Sequence, residues 1–329
     1  MEFSAVSAFL VAKSMGAEVL MPRGQVRSSL NLNEQNKTVV PTRDVWDVDK
    51  IKEMWGKVGL VVHEGGTKLG DNVYEIALAT VNKLHRVEDF RDLVFDLLDK
   101  AVEKKPIPPT TKTVHIAFGN TLFKIDATKC PNEMFAASVM LPFAPRFVQL
   151  GRTALRTLKT YGYSSFNGVH LKLEEDSLFR AKNTGGFEGL LDVYSRALSA
   201  MDLNSSLPLY VASGIASSAG PEWERTKKVL LAGHAGKIIT LTSLVPGIDT
   251  QGIPCEQLAM TDMLMLAASE KYVGINYSTF SIFAAILRAR LGHTSDSAAL
   301  IKLEKDPHNL LMQLTRDATF MTEIREMVL

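Results

Sequence analysis

The stretch Gly168-Val-His-Leu-Lys-Leu-Glu-Glu-Asp176 decides how this chain is read. Apolar residues alternate with His170, Lys172 and Glu174, so a strand over 168–173 sends Val169, Leu171 and Leu173 to one side and the three polar groups to the other. An exposed edge strand accounts for such alternation. A buried parallel strand is near-continuously apolar, and three polar residues on one of its faces call for a ligand or a partner. The flanking sequence supplies the frame. Helices are predicted over 146–160 and 186–201, and strands over 208–213, 237–241 and 271–276 alternate with helices over 221–232, 256–269 and 278–290. This alternation is the pattern of a parallel sheet wrapped by helices.

The first third is less regular. Residues 2–15 place Phe3, Val6, Leu10 and Ser14 on one helical face and stop at Gly16, after which 17–21 reads as a buried strand running into Pro22. A parallel strand-helix-strand unit needs a strand ahead of its helix, so the first strand of this half is expected to be missing. Further along, the pattern predicts a helix over 44–55, a strand over 59–63, two helices across 74–102 broken near 86–89, and a proline-rich surface connector over 104–113. Short strands are predicted at 114–118 and 121–125. Two domains are expected, 1–145 and 146–329, in an α/β fold built on parallel sheets.

Composition narrows the function. The 329 residues carry a formal net charge of +1, which argues against a protein held mainly by nucleic acid, and 46% are hydrophobic, enough for a large core. The two cysteines, Cys130 and Cys255, form no closely spaced metal pattern, and the seven histidines show no His-x-x-x-His spacing, so no metal site is expected. The apolar run Phe3–Ala12 is too short for a membrane span and lacks the basic flank of a signal peptide.

In open parallel sheets ligands bind beyond the carboxyl ends of the strands. Two of these ends are chemically loaded. One carries Lys172 with His170, Glu174 and Asp176. The other follows 272–276, where Tyr277 leads into Ser278-Thr-Phe280 at the start of a helix. Ser278 as N-cap would leave N–H groups behind it that favour a phosphate, although plain capping of a structural helix uses the same residue.

Together the segments Gly168–Asp176, Pro208-Leu-Tyr-Val-Ala-Ser-Gly214 and Asp262 through Gly274 to Ser278-Thr-Phe280 resemble the GDP-fucose protein O-fucosyltransferase superfamily, most nearly its plant and algal branch. Residues 17–22 and Asp44-Val-Trp-Asp-Val-Asp49 are similar to its N-terminal half. The resemblance implies a GT-B-like glycosyltransferase of two Rossmann-like domains. Residues 1–145 would form the acceptor side and 146–329 would bind the sugar nucleotide. It assigns Lys172 to the donor phosphates and to departure of the nucleoside diphosphate, and makes His170, Asp262, Ser278, Thr279 and Phe280 donor-binding, with Asp262 reading the nucleotide. Glu174 would orient Lys172 or the acceptor. The implied reaction is metal-independent, without a cofactor, and inverts the anomeric carbon as fucose passes from GDP-fucose to a hydroxyl of a protein or glycan.

Two departures from the family's pattern stand out. The family has Arg where this chain has Lys172, and an ammonium does not reproduce a bidentate guanidinium. The family's Gly-Gly-x-Asn-Asn-Gln-type loop would fall just ahead of Glu2, which leads to the expectation of an N-terminally shortened product or a diverged member. The resemblance also implies a secretory-pathway location, in the Golgi or ER lumen, with no membrane segment in this chain. Two alternatives stay open: a rhamnosyltransferase using UDP-rhamnose on cell-wall polysaccharide, and an inactive sugar-nucleotide-binding remnant.

Overall fold

Helix α1 (Glu2–Met15) turns Val6, Phe9, Leu10 and Val11 inward and stops at Gly16, which adopts the left-handed conformation (φ 66°) that glycine tolerates without strain. The computed structural model describes residues 2–21, 24–27, 35–66, 72–78, 86–118, 141–180, 184–218, 220–233, 237–246, 255–303 and 313–314. The chain is α/β with parallel sheets, and it divides into two units, Met1–Gly24 with Val40–Ala144, and Gln25–Val39 with Pro145–Leu329.

In the first unit α1 leads into β1 (Val19–Leu20). Beyond the paired strands β2 (Gly24–Arg27) and β3 (Gln35–Val40), helix α2 (Val48–Gly56) leads into β4 (Val62–His63). Strands β1 and β4 run parallel, Val19 opposite Val62. Asp47 caps α2 by accepting the Lys50 N–H at 3.2 Å, and the buried Trp55 meets the Phe9 ring of α1 at 4.8 Å between centroids. The sequence predicts two helices across 74–102, and the first of them is instead strand β5 (Val73–Leu78), paired parallel with β6 (Thr113–Phe118). The segment Val73-Tyr-Glu-Ile-Ala-Leu78 alternates every second residue, with Ile76 buried and Val73, Glu75 and Ala77 exposed, a period no helix can satisfy. The second predicted helix is α3 (Val87–Lys104), which buries Val87, Phe90 and Val94. The strand predicted at 121–125 and Cys130 lie outside the described residues.

The second unit opens with α4 (Pro145–Thr160), β7 (Asn167–His170), α5 (Glu175–Arg180) and α6 (Gly186–Ala200). There follow β8 (Leu209–Ala212), α7 (Gly214–Ser218), α8 (Pro221–Gly233), β9 (Ile238–Ile239), α9 (Leu241–Leu244) and α10 (Cys255–Ala268). The last elements are β10 (Tyr272–Ile275), α11 (Thr279–Arg290), β11 (Ala298–Lys302) and β12 (Gln313–Leu314). The strands form one sheet in the order β9-β8-β7-β10-β11-β12, parallel apart from the antiparallel β12. Chain order therefore grows outward from β7 in one direction and then returns to β7's other side with β10. This reversal, between β7 and β10, is the switch point at which doubly wound sheets leave an opening beyond the strands.

One sheet face, carrying Val169, Leu171, Leu209, Val211, Val273, Ile275, Ala299 and Ile301, packs on Leu190, Leu191, Tyr194, Ala197 and Leu198 of α6. Burial of each such aliphatic side chain stabilises by about 1.5–3 kcal/mol. On the other face α10 and α11 approach so closely that glycine is required beneath them. A Cβ at Gly168 would meet Ser269 Oγ at 2.7 Å, and one at Gly274 would meet Tyr272 Oη and, at 2.8 Å, Ser281 Cβ. Arg288 of α11 fixes the far end of this layer. Its buried guanidinium donates to the carbonyls of Leu266 (3.1 Å), Glu270 (2.9 Å) and Ser269, and to Ser269 Oγ and Ser297 Oγ (both 2.9 Å). A cation at the carbonyl end of α10 meets that helix's dipole favourably.

Gly274→Ala should destabilise the chain by about 1–3 kcal/mol, the usual range for overpacking. A denaturant midpoint that does not move would show that α11 can back away from β10.

Candidate functional site

Beyond β7 the chain stays extended for Leu171-Lys172-Leu173 and then starts α5, whose first turn hydrogen-bonds back to the Glu174 carbonyl through Ser177 (2.9 Å) and Leu178 (3.1 Å). Strand β7 ends at His170, three residues short of the predicted 173; the Leu171 N–H still donates to the Ala212 carbonyl at 2.9 Å before helix α5 opens at Glu175. Glu175 opens that helix, where the dipole favours an acidic residue. All of 170–174 is buried, so the strand is not the exposed edge that alternation also permitted.

Lys172 and Glu174 form an ion pair at 3.2 Å, with side chains 11% and 5% exposed. Glu174 Oε1 accepts the Gly214 N–H at 2.7 Å, tying the loop after β7 to the start of α7 after β8. Glu174 Oε2 makes no hydrogen bond although it faces the ammonium. The Lys172 backbone N–H donates to the Tyr194 hydroxyl at 3.0 Å, which holds the loop down on α6. The Tyr194 phenol is pushed well above its ordinary pKa, chiefly by burial, and so keeps its proton.

His170 faces α11. Its Nδ1 lies 2.6 Å from Ser281 Oγ, and its ring lies 4.4 Å from the Phe280 ring, tilted by 41°. Burial, with the neighbouring Lys172 charge second, pulls the imidazole down to about 3, so it is neutral at physiological pH. Ser278 is the N-cap of α11, its hydroxyl accepting the Ser281 N–H at 3.5 Å. Strands β7 and β10 are adjacent, with Gly168 opposite Tyr272 and Val169 opposite Val273. The structure thus brings His170, Lys172, Glu174, Ser278 and Phe280 to the carboxyl end of two neighbouring strands. The side chain of Thr279 lies outside the described residues.

Asp262 takes a different place. It projects from the middle of α10 onto the sheet face, where its carboxylate accepts the Tyr210 hydroxyl of β8. Burial raises the Asp262 carboxyl to about 7, against the opposing pull of that hydrogen bond, and the Tyr210 phenol is raised well above its ordinary range. Its acid is therefore engaged within the fold. The sequence singles out neither Ser281 nor Tyr194, and it assigns no site role to Gly214 or Gly274, which it quotes only within longer segments. A glycine inside a strand, as at Gly274, is the one signal that marks a close approach, and nothing local distinguishes the rest.

Among the described residues there is no group of three or more His, Cys, Asp or Glu side chains arranged to hold a metal ion. No described helix is long and apolar enough to cross a membrane. No protein-family model and no curated protein sequence matches the chain. Solved structures do. POFUT1 in complex with GDP-fucose superimposes with a TM-score of 0.52 at 13% identity, over 91% of this chain and 92% of that one. The NodZ alpha-1,6-fucosyltransferase soaked with GDP-fucose gives 0.52 at 13% identity, over 95% and 94%. The same enzyme co-crystallised with GDP gives 0.51 at 13%, over 95% and 93%. At this identity the likeness is one of fold.

The two displaced pKa values oppose each other in stability. His170 falls from 6.5 to about 3, so between these values the unfolded state binds the extra proton and stability is lost as pH falls below 6.5. Asp262 rises from 3.8 to about 7, so the folded state holds the extra proton and stability is lost as pH rises through that window. Between pH 3.8 and 6.5 the slopes oppose. Relative to the unmodified chain, Asp262→Asn should gain stability with rising pH across this window and His170→Gln should lose it. Parallel stability–pH curves for all three proteins would contradict the assignment.

Proposed function

We propose that this chain is a glycosyltransferase that moves fucose from GDP-fucose to a hydroxyl of a protein or glycan acceptor, with inversion at the anomeric carbon. The observation that carries the reading is the buried Lys172–Glu174 pair at the β7/β10 switch point, beside the capped start of α11. A buried ion pair is often no more stabilising than an apolar replacement, so its presence at a ligand-binding position favours a functional role. The fold shared with POFUT1 and NodZ, solved with GDP-fucose, supports the choice of donor.

In this reaction the acceptor hydroxyl oxygen bonds to the anomeric carbon while the bond from that carbon to the β-phosphate oxygen breaks; negative charge grows on the departing diphosphate, and the hydroxyl proton passes to that diphosphate or to solvent. The Lys172 ammonium meets that charge as a fixed point charge. The N–H groups of the first turn of α11 add their dipole. No metal is invoked for this step, because a fixed cation and a helix start supply charge neutralisation between them. Glu174 acts as the orienting residue: held by the Gly214 N–H, it keeps the ammonium at the strand end. Asp262 lies one element further along the same sheet face, and its reading of the nucleotide would require Tyr210 to move or to share the carboxylate. Following the family resemblance of the sequence, the enzyme is placed in the secretory pathway.

The Lys172–Glu174 pair also suits a second reading, a sugar-nucleotide binder without turnover, since an ammonium neutralised by a carboxylate can bind phosphate without assisting its departure. Two measurements separate these. GDP at a hundredfold excess over its dissociation constant should raise stability by about 2.7 kcal/mol, and UDP at the same concentration should not; equal stabilisation by UDP would support the UDP-rhamnose alternative instead. Lys172→Met should cut transfer from radiolabelled GDP-fucose by roughly 100-fold or more. A GDP shift without transfer in the unmodified chain supports the binder, and undiminished transfer by Lys172→Met removes Lys172 from the mechanism.

A further inference from the structure

The proton on the Ser281 hydroxyl determines the state of the histidine at this site. Ser281 Oγ accepts the Ile275 N–H at 3.0 Å and lies 2.6 Å from His170 Nδ1, and it makes no other hydrogen bond among the described residues. Its residue is fully buried. Two arrangements satisfy the distances. If Nδ1 carried the proton, the serine oxygen would accept from both neighbours and its own O–H would be buried without an acceptor, at about 1–3 kcal/mol. If Nδ1 is bare, the serine donates to it and every group is satisfied. The second arrangement wins. Phe280, packed on the imidazole at 4.4 Å, limits rotation of the ring away from this bond.

We infer that Ser281 is a positioning residue that locks His170 as the neutral Nε2–H tautomer, turning the ring into a hydrogen-bond donor for an anionic phosphate oxygen beside Lys172. Nε2 makes no hydrogen bond among the described residues and is not one of the buried polar atoms left without a partner, so it keeps access to a ligand. A neutral donor adds an N–H to the site without placing a second cation against the Lys172 ammonium. The choice of phosphate as acceptor rests on the nucleotide-sugar reading above; the tautomer does not.

The test is nitrogen-15 NMR of the full chain labelled at histidine, without ligand, with the His170 signals identified by their loss in His170→Gln. The expected pattern is a bare Nδ1 and a protonated Nε2. Ser281→Ala should mix the tautomers and weaken GDP binding roughly tenfold, as loss of an oriented bond to a charged group does. Ser281→Thr, which keeps the hydroxyl, should restore the tautomer, and this rescue separates positioning from simple loss of stability. A proton on Nδ1 in the unmodified chain, or an unchanged tautomer in Ser281→Ala, overturns the inference. An Nε2–H ring in a chain that ignores GDP supports the tautomer assignment and counts against the nucleotide-sugar reading.

Discussion

A single buried hydroxyl ties the functional end of the sheet together. Ser281 Oγ sits between the Ile275 N–H of β10 and the imidazole of His170 on β7, so one side chain of α11 joins two neighbouring strands at the point where their order reverses. The arrangement is possible because Gly274 has no Cβ to keep the helix away. With α11 held there, its capped start, Phe280 and the extended segment 171–174 have fixed places relative to one another. Every chemical role assigned to Lys172 depends on that placement.

Lys172 and Arg288 are both buried cations among the described residues of this unit, and they play different parts. Arg288 is surrounded by carbonyl and hydroxyl oxygens of Leu266, Ser269, Glu270 and Ser297, and its charge closes the end of α10. Burial lowers it to about 10, which leaves it charged at neutral pH. Its Nη donors are spent on the fold. Lys172 faces a carboxylate that is itself held by one backbone N–H and whose second oxygen makes no hydrogen bond. An incoming diphosphate competes with the Glu174 carboxylate for the Lys172 charge, whereas it would have to dismantle a network of backbone and hydroxyl oxygens to reach Arg288.

The parallel sheet of the second unit is legible because β7, β8 and β10 are continuously buried and the flanking helices α4 and α6 are amphipathic, patterns that local sequence records directly. Segment 73–78 differs from the helix predicted there because it adjoins the long amphipathic pattern of 87–104, whose helical period dominates this irregular stretch. The alternation of Tyr74 and Ile76 against Glu75 and Ala77 held the correct period. At the site, Lys172, Glu174 and Ser278 were legible because a charge after an apolar strand and a serine before a helix carry their meaning locally. Ser281 and Tyr194 were not, since their partners are 111 and 22 residues away in sequence and depend on how helices settle on the sheet. The family resemblance implies that Asp262 reads the nucleotide, and only the three-dimensional fold shows Tyr210 already engaged with it.

If the carboxyl ends of β7 and β10 receive a nucleoside diphosphate, a crystal structure of this chain with GDP will show phosphate oxygens within about 3 Å of Lys172 Nζ and of an N–H in the first turn of α11, with the Lys172–Glu174 contact lengthened or broken. GDP bound elsewhere on the chain, with the Lys172–Glu174 pair intact, rules this out.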